Sequence, residues 1–216
     1  MKSDHIRKQA ILIVAHPDDE TIWAGGYVLA HSDWDWYIFS LCRGNDPDRA
    51  PKFFRVLNEL GARGSMADVD DELEQIPLDL DAIMEVILSG IPAQAFDYCL
   101  THSPDGEYTR HRRHEEVSRA VQALWISRKI ESSHLWMFAY EDDGRKRLPG
   151  AISGAHRVIE VSEQEWEKKY WLITEVYGFS PESWEARTTP AVEAFWCFER
   201  QEDLAKWNRM GDRPIR

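Results

Sequence analysis

Residues 10–20 read AILIVAHPDDE, and this stretch decides the fold. Ala10 to Ala15 form an unbroken apolar run rich in branched side chains, the pattern of a short strand buried on both faces. Asp19 to His31 then read as a helix whose leading acids complement the dipole. The same strand–loop–helix unit recurs downstream. Further strands are predicted at 36–42, 65–69, 96–101, 134–140 and 156–161, and helices at 48–60, 78–88, 111–127 and 163–177. Gly61 is placed to stop the 48–60 helix. Trp166 and Trp171 are expected on the buried face of the 163–177 helix. Beyond Gly178 a Trp-rich segment, 179–216, is expected to pack as loop and short helix. This alternation predicts an α/β fold, a Rossmann-like three-layer sandwich with a mainly parallel sheet, built as a single domain over 1–216. Right-handed crossovers bring the strand C-terminal ends to one edge, where ligands of such folds bind. Chemistry is therefore expected in the loops after Ala15, Cys42, Thr101 and Tyr140.

Composition narrows the function. The 216 residues are 43% hydrophobic and 30% charged, which excludes disordered, collagenous and coiled-coil classes. A net charge of -12 disfavours nucleic acid and anionic membrane faces as partners. Between Gly64 and Thr109 there is no Lys or Arg but there are eleven acids, read as a solvated acidic face, with the alternative that some of them serve a cation or a basic group. Cys42, Cys99 and Cys197 have no close pairing, which argues for a reducing compartment and against a disulfide framework. No apolar run reaches the roughly 18 residues of a membrane span, and Met1 to Gln9 lack an apolar leader core. A soluble, cytoplasmic protein is expected. Ten tryptophans hint at a sugar-handling protein, although aromatic cores also use them.

Two loops carry candidate chemistry. His16-Pro17-Asp18-Asp19-Glu20 places a histidine and three acids at the predicted ligand edge. His16 and Asp19 are three apart across a turn stiffened by Pro17, so an imidazole and a carboxylate can converge, a mixture of donors that zinc accepts. Asp18 would then be free to act on a water. The same acids could equally be a helix N-cap, and this loop alone leaves the two readings even. The second loop, Thr101 to His114, ends in His111-Arg112-Arg113-His114. Residues three apart at a helix start share a face, so both imidazoles can point at the edge that holds His16.

Ala15-His16-Pro17-Asp18-Asp19-Glu20 after an apolar strand, with the His111–His114 pair downstream, resembles the LmbE/PIG-L family of zinc-dependent N-deacetylases. Gly106-Glu107-Tyr108 ahead of the pair also looks like members of that family. The resemblance spans 11–121 and fades in the last third. It implies one zinc per chain held by His16, Asp19 and His114, with Asp18 as general base. His111 would stabilise the tetrahedral intermediate or help protonate the leaving amine. Arg49, Asp46 and Tyr108 would touch the substrate, an N-acetylated amino sugar or its conjugate, and the products would be acetate and an amine. Homo-oligomers are common in the family.

One departure stands out. Arg112-Arg113 replaces a pair that is often Pro-Asp in the family, where the acid supports the first histidine. An arginine aimed the same way would disfavour a protonated His111. Glu107, Glu115 or another acid would have to substitute. This motivates a second reading, a weakened relative that binds metal and ligand; a hydrolase of another amide and a nucleotide- or cofactor-binding α/β domain with acidic caps and no zinc are further alternatives.

Overall fold

The structure, a computed structural model, describes residues 7–72, 74, 76–108 and 110–210. Residues 1–6 and 211–216, the ends of the expected single domain, lie outside the described residues, as does most of the stretch read as lacking a leader.

The AILIVA run lies in β1 (Gln9–Val14) at the middle of the sheet. From there the chain passes through α1 (Asp19–Ala30), β2 (Asp35–Cys42), α2 (Arg49–Leu60) and β3 (Arg63–Val69), moving outward. It then crosses back through α3 (Leu80–Gly90) to β4 (Phe96–Thr101), which pairs with the other side of β1. α4 (Arg112–Ile126) leads to β5 (Ser132–Phe138). A two-stranded ribbon, β6 (Tyr140–Glu141) and β7 (Gly150–Ala151), precedes β8 (Arg157–Glu160). The rest comprises α5 (Glu163–Trp171), a π-helical turn (Leu172–Val176), α6 (Trp184–Thr188), β9 (Val192–Phe198) and α7 (Gln201–Met210). The strand order is β3-β2-β1-β4-β5-β9-β8, parallel from β3 to β5 and antiparallel at β9 and β8.

Period-2 alternation divides β1 between two cores. Ala10, Leu12 and Val14 face one cluster with α1, α2 and the π-helical turn, whereas Ile11 and Ile13 face another with α3, α4 and α7. Both faces are covered, which gives the expected three layers. Gly61 closes α2 in the left-handed conformation (φ 67°), a position that glycine takes without Cβ strain. Among the described residues, no helix is long and apolar enough to cross a membrane.

The last third differs from expectation. Residues 192–198 are not loop but a central strand, inserted antiparallel between β5 and β8. Glu193, Ala194, Phe195 and Trp196 are all buried. The predicted 163–177 helix changes to π-helical geometry after Trp171. Trp171 is exposed rather than core and lies under the Lys168 ammonium, while Trp166 is half-buried and stacked on Tyr170.

The topology fixes where a ligand can sit. β1 and β4 are adjacent, yet the chain leaves β1 toward one side of the sheet and β4 toward the other. The loops that follow them part at this switch point and leave a crevice, the usual ligand position in open α/β sheets.

Candidate metal centre

The crevice at the end of β1 and β4 brings the two predicted loops together. His16 Nδ1 lies 3.1 Å from Asp19 Oδ2 and 3.2 Å from His114 Nε2, and the third side of the triangle, His114 Nε2 to Asp19 Oδ2, is 3.3 Å. Zinc at about 2.0–2.1 Å from each of three tetrahedral donors needs edges of about 3.3 Å. His16, although partly exposed, and the buried Asp19 and His114 therefore form a triangle of the right size.

Each imidazole has a carboxylate behind it. His114 Nδ1 lies 2.6 Å from Glu107 Oε2, and His16 Nε2 lies 3.1 Å from Asp71 Oδ1. A proton on His114 Nδ1, held by Glu107, leaves a lone pair on Nε2; His16 Nε2 stands beside Asp71 without a hydrogen bond of its own, and a proton there would leave Nδ1 free in the same way. The inner nitrogens and Asp19 Oδ2 then converge as three lone-pair atoms, an arrangement that could hold a cation. The electrostatics agree. Burial opposes charge on His16 and His114, yet Asp19 and the outer carboxylates draw both above the ordinary histidine pKa. The pocket therefore favours positive charge, which a metal ion would supply in place of protons. Burial would raise Asp19, but His114 and His102 hold it well below the usual carboxylate range. Trp23 Nε1–H donates to its other oxygen at 3.0 Å.

Two residues of this centre, His102 and Asp71, were not expected, and Glu107, a candidate support for His111, serves His102 and His114 instead. His102 is fully buried; its Nδ1 lies 2.9 Å from Glu107 Oε2, and its Nε2 accepts the Ala15 N–H at 2.9 Å. Burial opposes a charge on His102, while Glu107 and Asp19 pull its pKa up to about 9. The amide on Nε2 occupies the site a second proton would need, so the geometry assigns the neutral Nδ1–H form. Glu107 takes both imidazoles on one oxygen and the Ser103 N–H on the other, at 2.9 Å. Burial raises Glu107, and His102 and His114 bring it down to about 2. Asp71 also accepts from Arg43, at 2.9 and 3.2 Å. Asp71 and Glu107 belong to the acidic run read as a solvated face. Asp68, Asp70, Glu72, Glu74, Asp79, Asp81 and Glu85 are exposed as expected, but Asp71 and Glu107 serve the site.

A cavity of 220 Å³ opens beside the triangle, lined by His16, Asp18, Asp19, Arg43, Arg49, Asp71, Tyr108, His111 and Trp184 among others. Asp18 is half-buried there, with Oδ2 3.4 Å from Arg49 Nη1. Burial and the neighbouring Asp19 push the Asp18 carboxyl well up, against the pull of Arg49. The Arg49 guanidinium rests on the Phe179 ring at 4.3 Å. The His111 ring stands 4.5 Å from those of both His16 and His114. Burial and these imidazoles push His111 down to about 2, so it is neutral. The Tyr108 ring packs on Trp184 at 4.7 Å. Trp184 was not expected here, because nothing in its local sequence ties α6 to this edge.

Other expected contacts lie elsewhere. Asp46 turns inward to accept the Asp48 and Arg49 N–H groups, both at 2.9 Å, and so caps α2. Tyr140 donates its hydroxyl to the Trp23 carbonyl, and Glu141 pairs with Arg147. Trp136 packs with Tyr98 and Arg157 in a different, 670 Å³ cavity. The Glu115 carboxylate binds Arg110. Arg113 is fully buried and bonded to Glu116, Asp70 and Ile76, all outside the triangle.

No family model and no curated relative matches the sequence. Solved structures do. The fold is one they share. The 4-carboxy-2-hydroxymuconate hydratase GalB from Pseudomonas putida aligns with a TM-score of 0.62 at 16% identity, covering 89% of this chain and 97% of its own. The N,N'-diacetylchitobiose deacetylase from Pyrococcus horikoshii aligns at 0.64 and 13%, covering 89% and 84%. The A40926 pseudoaglycone deacetylase Dbv21 aligns at 0.62 and 17%, covering 89% and 98%. At such identities the likeness is one of fold.

Proposed function

We propose that this chain is a zinc-dependent hydrolase of the LmbE/PIG-L kind that removes the acetyl group from an N-acetylated amino sugar or its conjugate. The observation that supports this most is the convergence of His16 Nδ1, Asp19 Oδ2 and His114 Nε2 within 3.1–3.3 Å, with two carboxylates fixing the imidazoles from behind. His16, Asp19 and His114 would hold the ion. When bound, it supplies Lewis acidity, which polarises a carbonyl and makes water acidic near neutral pH.

The remaining roles fall to side chains around the cavity. Asp18 takes the proton of the attacking water and passes it to the leaving amine as the C–N bond breaks. Arg49, 3.4 Å away, holds that carboxylate in place while its aromatic seat on Phe179 fixes the guanidinium. His111, neutral and facing the cavity, donates a hydrogen bond to the carbonyl oxygen as it gains charge. Tyr108 and Trp184 offer ring surface to a sugar face. A cavity of 220 Å³ admits the acetamide and one compact ring, so any larger conjugate extends outward. The deacetylases of similar fold are named for N,N'-diacetylchitobiose, for the A40926 pseudoaglycone and for teicoplanin biosynthesis, which favours this substrate class.

The hydratase among the similar structures favours a second reading, addition of water to a carbon–carbon double bond. One experiment separates the two. Zinc-loaded protein is assayed for acetate release from N-acetylated amino sugars and for ultraviolet loss of an unsaturated carboxylate such as 4-carboxy-2-hydroxymuconate. Deacetylation predicts acetate release that is abolished by chelator and reduced about 10²–10⁴-fold in Asp18→Asn, with zinc content unchanged. Hydration without acetate release would overturn it. Zinc that remains at full stoichiometry in His16→Ala would overturn the ligand assignment.

A further inference from the structure

Arg113 is the point at which the sequence departs from the family it resembles, and its surroundings give it a task. The side chain is fully buried on α4, next to His114. Its Nε donates to the Asp70 carbonyl at 2.7 Å, Nη2 donates to the Ile76 carbonyl at 3.1 Å, and Nη1 pairs with Glu116. Glu116 in turn accepts the Leu78 N–H at 3.1 Å. One buried Arg–Glu pair on α4 thus holds backbone groups of residues 70, 76 and 78, between β3 and α3.

The Asp70 carbonyl belongs to the peptide that joins Asp70 to Asp71. A hydrogen bond there sets the plane from which the Asp71 side chain departs. Asp71 reaches His16 Nε2 at 3.1 Å and is steadied from its other side by Arg43. A carboxylate at that distance would favour a proton on Nε2 and so leave Nδ1 free for a cation.

We propose that Arg113 is a positioning residue for the metal centre, acting through the Asp70–Asp71 peptide on Asp71 and through Asp71 on His16. The proposal rests on the reading of His16, Asp19 and His114 as zinc ligands. It accounts for an arginine where an acid is usual: the cation serves the acidic segment after β3, and His111 is left to the cavity. A planar fork that reaches two carbonyls and a carboxylate at once is a property of arginine that lysine cannot reproduce.

The test is zinc affinity, measured by competition with a chromogenic chelator on the full chain, for wild type, Arg113→Lys, Asp71→Asn and the double variant. Outer-sphere partners of metal ligands are worth about 10–100-fold in affinity. Asp71→Asn is expected to weaken zinc within that range and Arg113→Lys by about tenfold. In the Asp71→Asn background Arg113→Lys should add little, because its route to the metal is already cut, while its cost in thermal stability persists. Fold-losses that multiply in the double variant, or an Arg113→Lys protein of wild-type affinity, would overturn the proposal alone. Wild-type protein that takes up no zinc would overturn the metal reading and this proposal with it. Should Arg113→Lys fail to fold, Glu116→Gln carries the same comparison, since it loosens the same fork from the other end.

Discussion

Replacing Glu107 by Gln tests whether the centre is built for a cation. The wild-type carboxylate accepts from three donors: His102 Nδ1 at 2.9 Å, His114 Nδ1 at 2.6 Å and the Ser103 N–H at 2.9 Å. Glutamine keeps the shape but offers one acceptor and one donor group. If its oxygen stays with Ser103, its NH₂ faces two imidazole N–H groups. His102 cannot yield, because the Ala15 N–H already occupies its Nε2. His114 must then accept at Nδ1 and carry its proton on Nε2, the atom aimed at the metal. Zinc affinity should fall about 10–100-fold, or about 1.4–2.8 kcal/mol. If the amide turns the other way, NH₂ meets the Ser103 N–H, and a buried donor without an acceptor costs about 1–3 kcal/mol of stability. Chelator competition reads the first outcome, denaturant unfolding the second, and ¹⁵N chemical shifts of the His114 ring identify the tautomer. Glu107→Gln protein with wild-type zinc affinity and wild-type stability would refute the argument, because neither orientation of the amide can satisfy every donor.

Two further substitutions test other parts of the structure. Asp46→Ala should cost about 1 kcal/mol through loss of the α2 cap, with KM for substrate little changed; a large rise in KM without loss of stability would return Asp46 to the substrate site. The amide hydrogen bonds lower the Asp46 pKa, so this contribution is present above the ordinary carboxylate pKa and is lost as pH falls through the folded value. Wild type and Asp46→Ala should therefore converge in stability under acid. Gly64→Ala should destabilise by about 3 kcal/mol in urea, since a Cβ there would sit 2.1 Å from the Ile38 carbonyl oxygen on the neighbouring strand. A change below about 0.5 kcal/mol would mean that β2 and β3 pack less closely than described.

What the sequence made legible follows from how local each signal is. The AILIVA run, the glycine stop at Gly61 and the spacing of His16, Asp19, His111 and His114 are read within a turn or two, and the structure has residues 10–14 in β1, Gly61 at the end of α2 and the four side chains together at one edge. β9 was missed because its tryptophan was read as loop packing, and a strand that joins the far side of a parallel sheet from a C-terminal segment leaves no periodic mark distinguishing it from a buried loop. Asp71 was hidden for a different reason, and Glu107 was marked only by the family resemblance. In a run of eleven acids, composition cannot tell the two that turn inward from those that face water; only the partner across the fold decides it. Arg113 is the same case with the sign reversed. Its neighbour in sequence is His114, but the groups it serves lie more than thirty residues upstream.

The sequence left Asp18 evenly balanced between a helix cap and a site residue, and the backbone weighs against the cap. A capping aspartate has extended backbone and turns its carboxylate back to the first amides of the helix. Asp18 stands at the N-cap of α1 but does neither: φ is 125°, ψ is -31°, and its side chain makes no capping hydrogen bond. A non-glycine residue in this region costs on the order of 1–3 kcal/mol and persists only where its surroundings over-determine it. They do so here. The Asp18 N–H donates to Glu20 at 3.0 Å, and its carbonyl accepts from Thr21 and Ile22 at 3.0 and 2.8 Å. Glu20 is buried and held in turn by the Tyr177 hydroxyl at 2.8 Å, immediately after the π-helical turn. The last third of the chain, where the family resemblance fades, thus keeps in place the strained peptide that turns the Asp18 carboxylate away from its own helix and into the cavity. An ordinary cap would need none of this, so the energy spent on the backbone at Asp18 argues for a side chain whose work lies in the cavity.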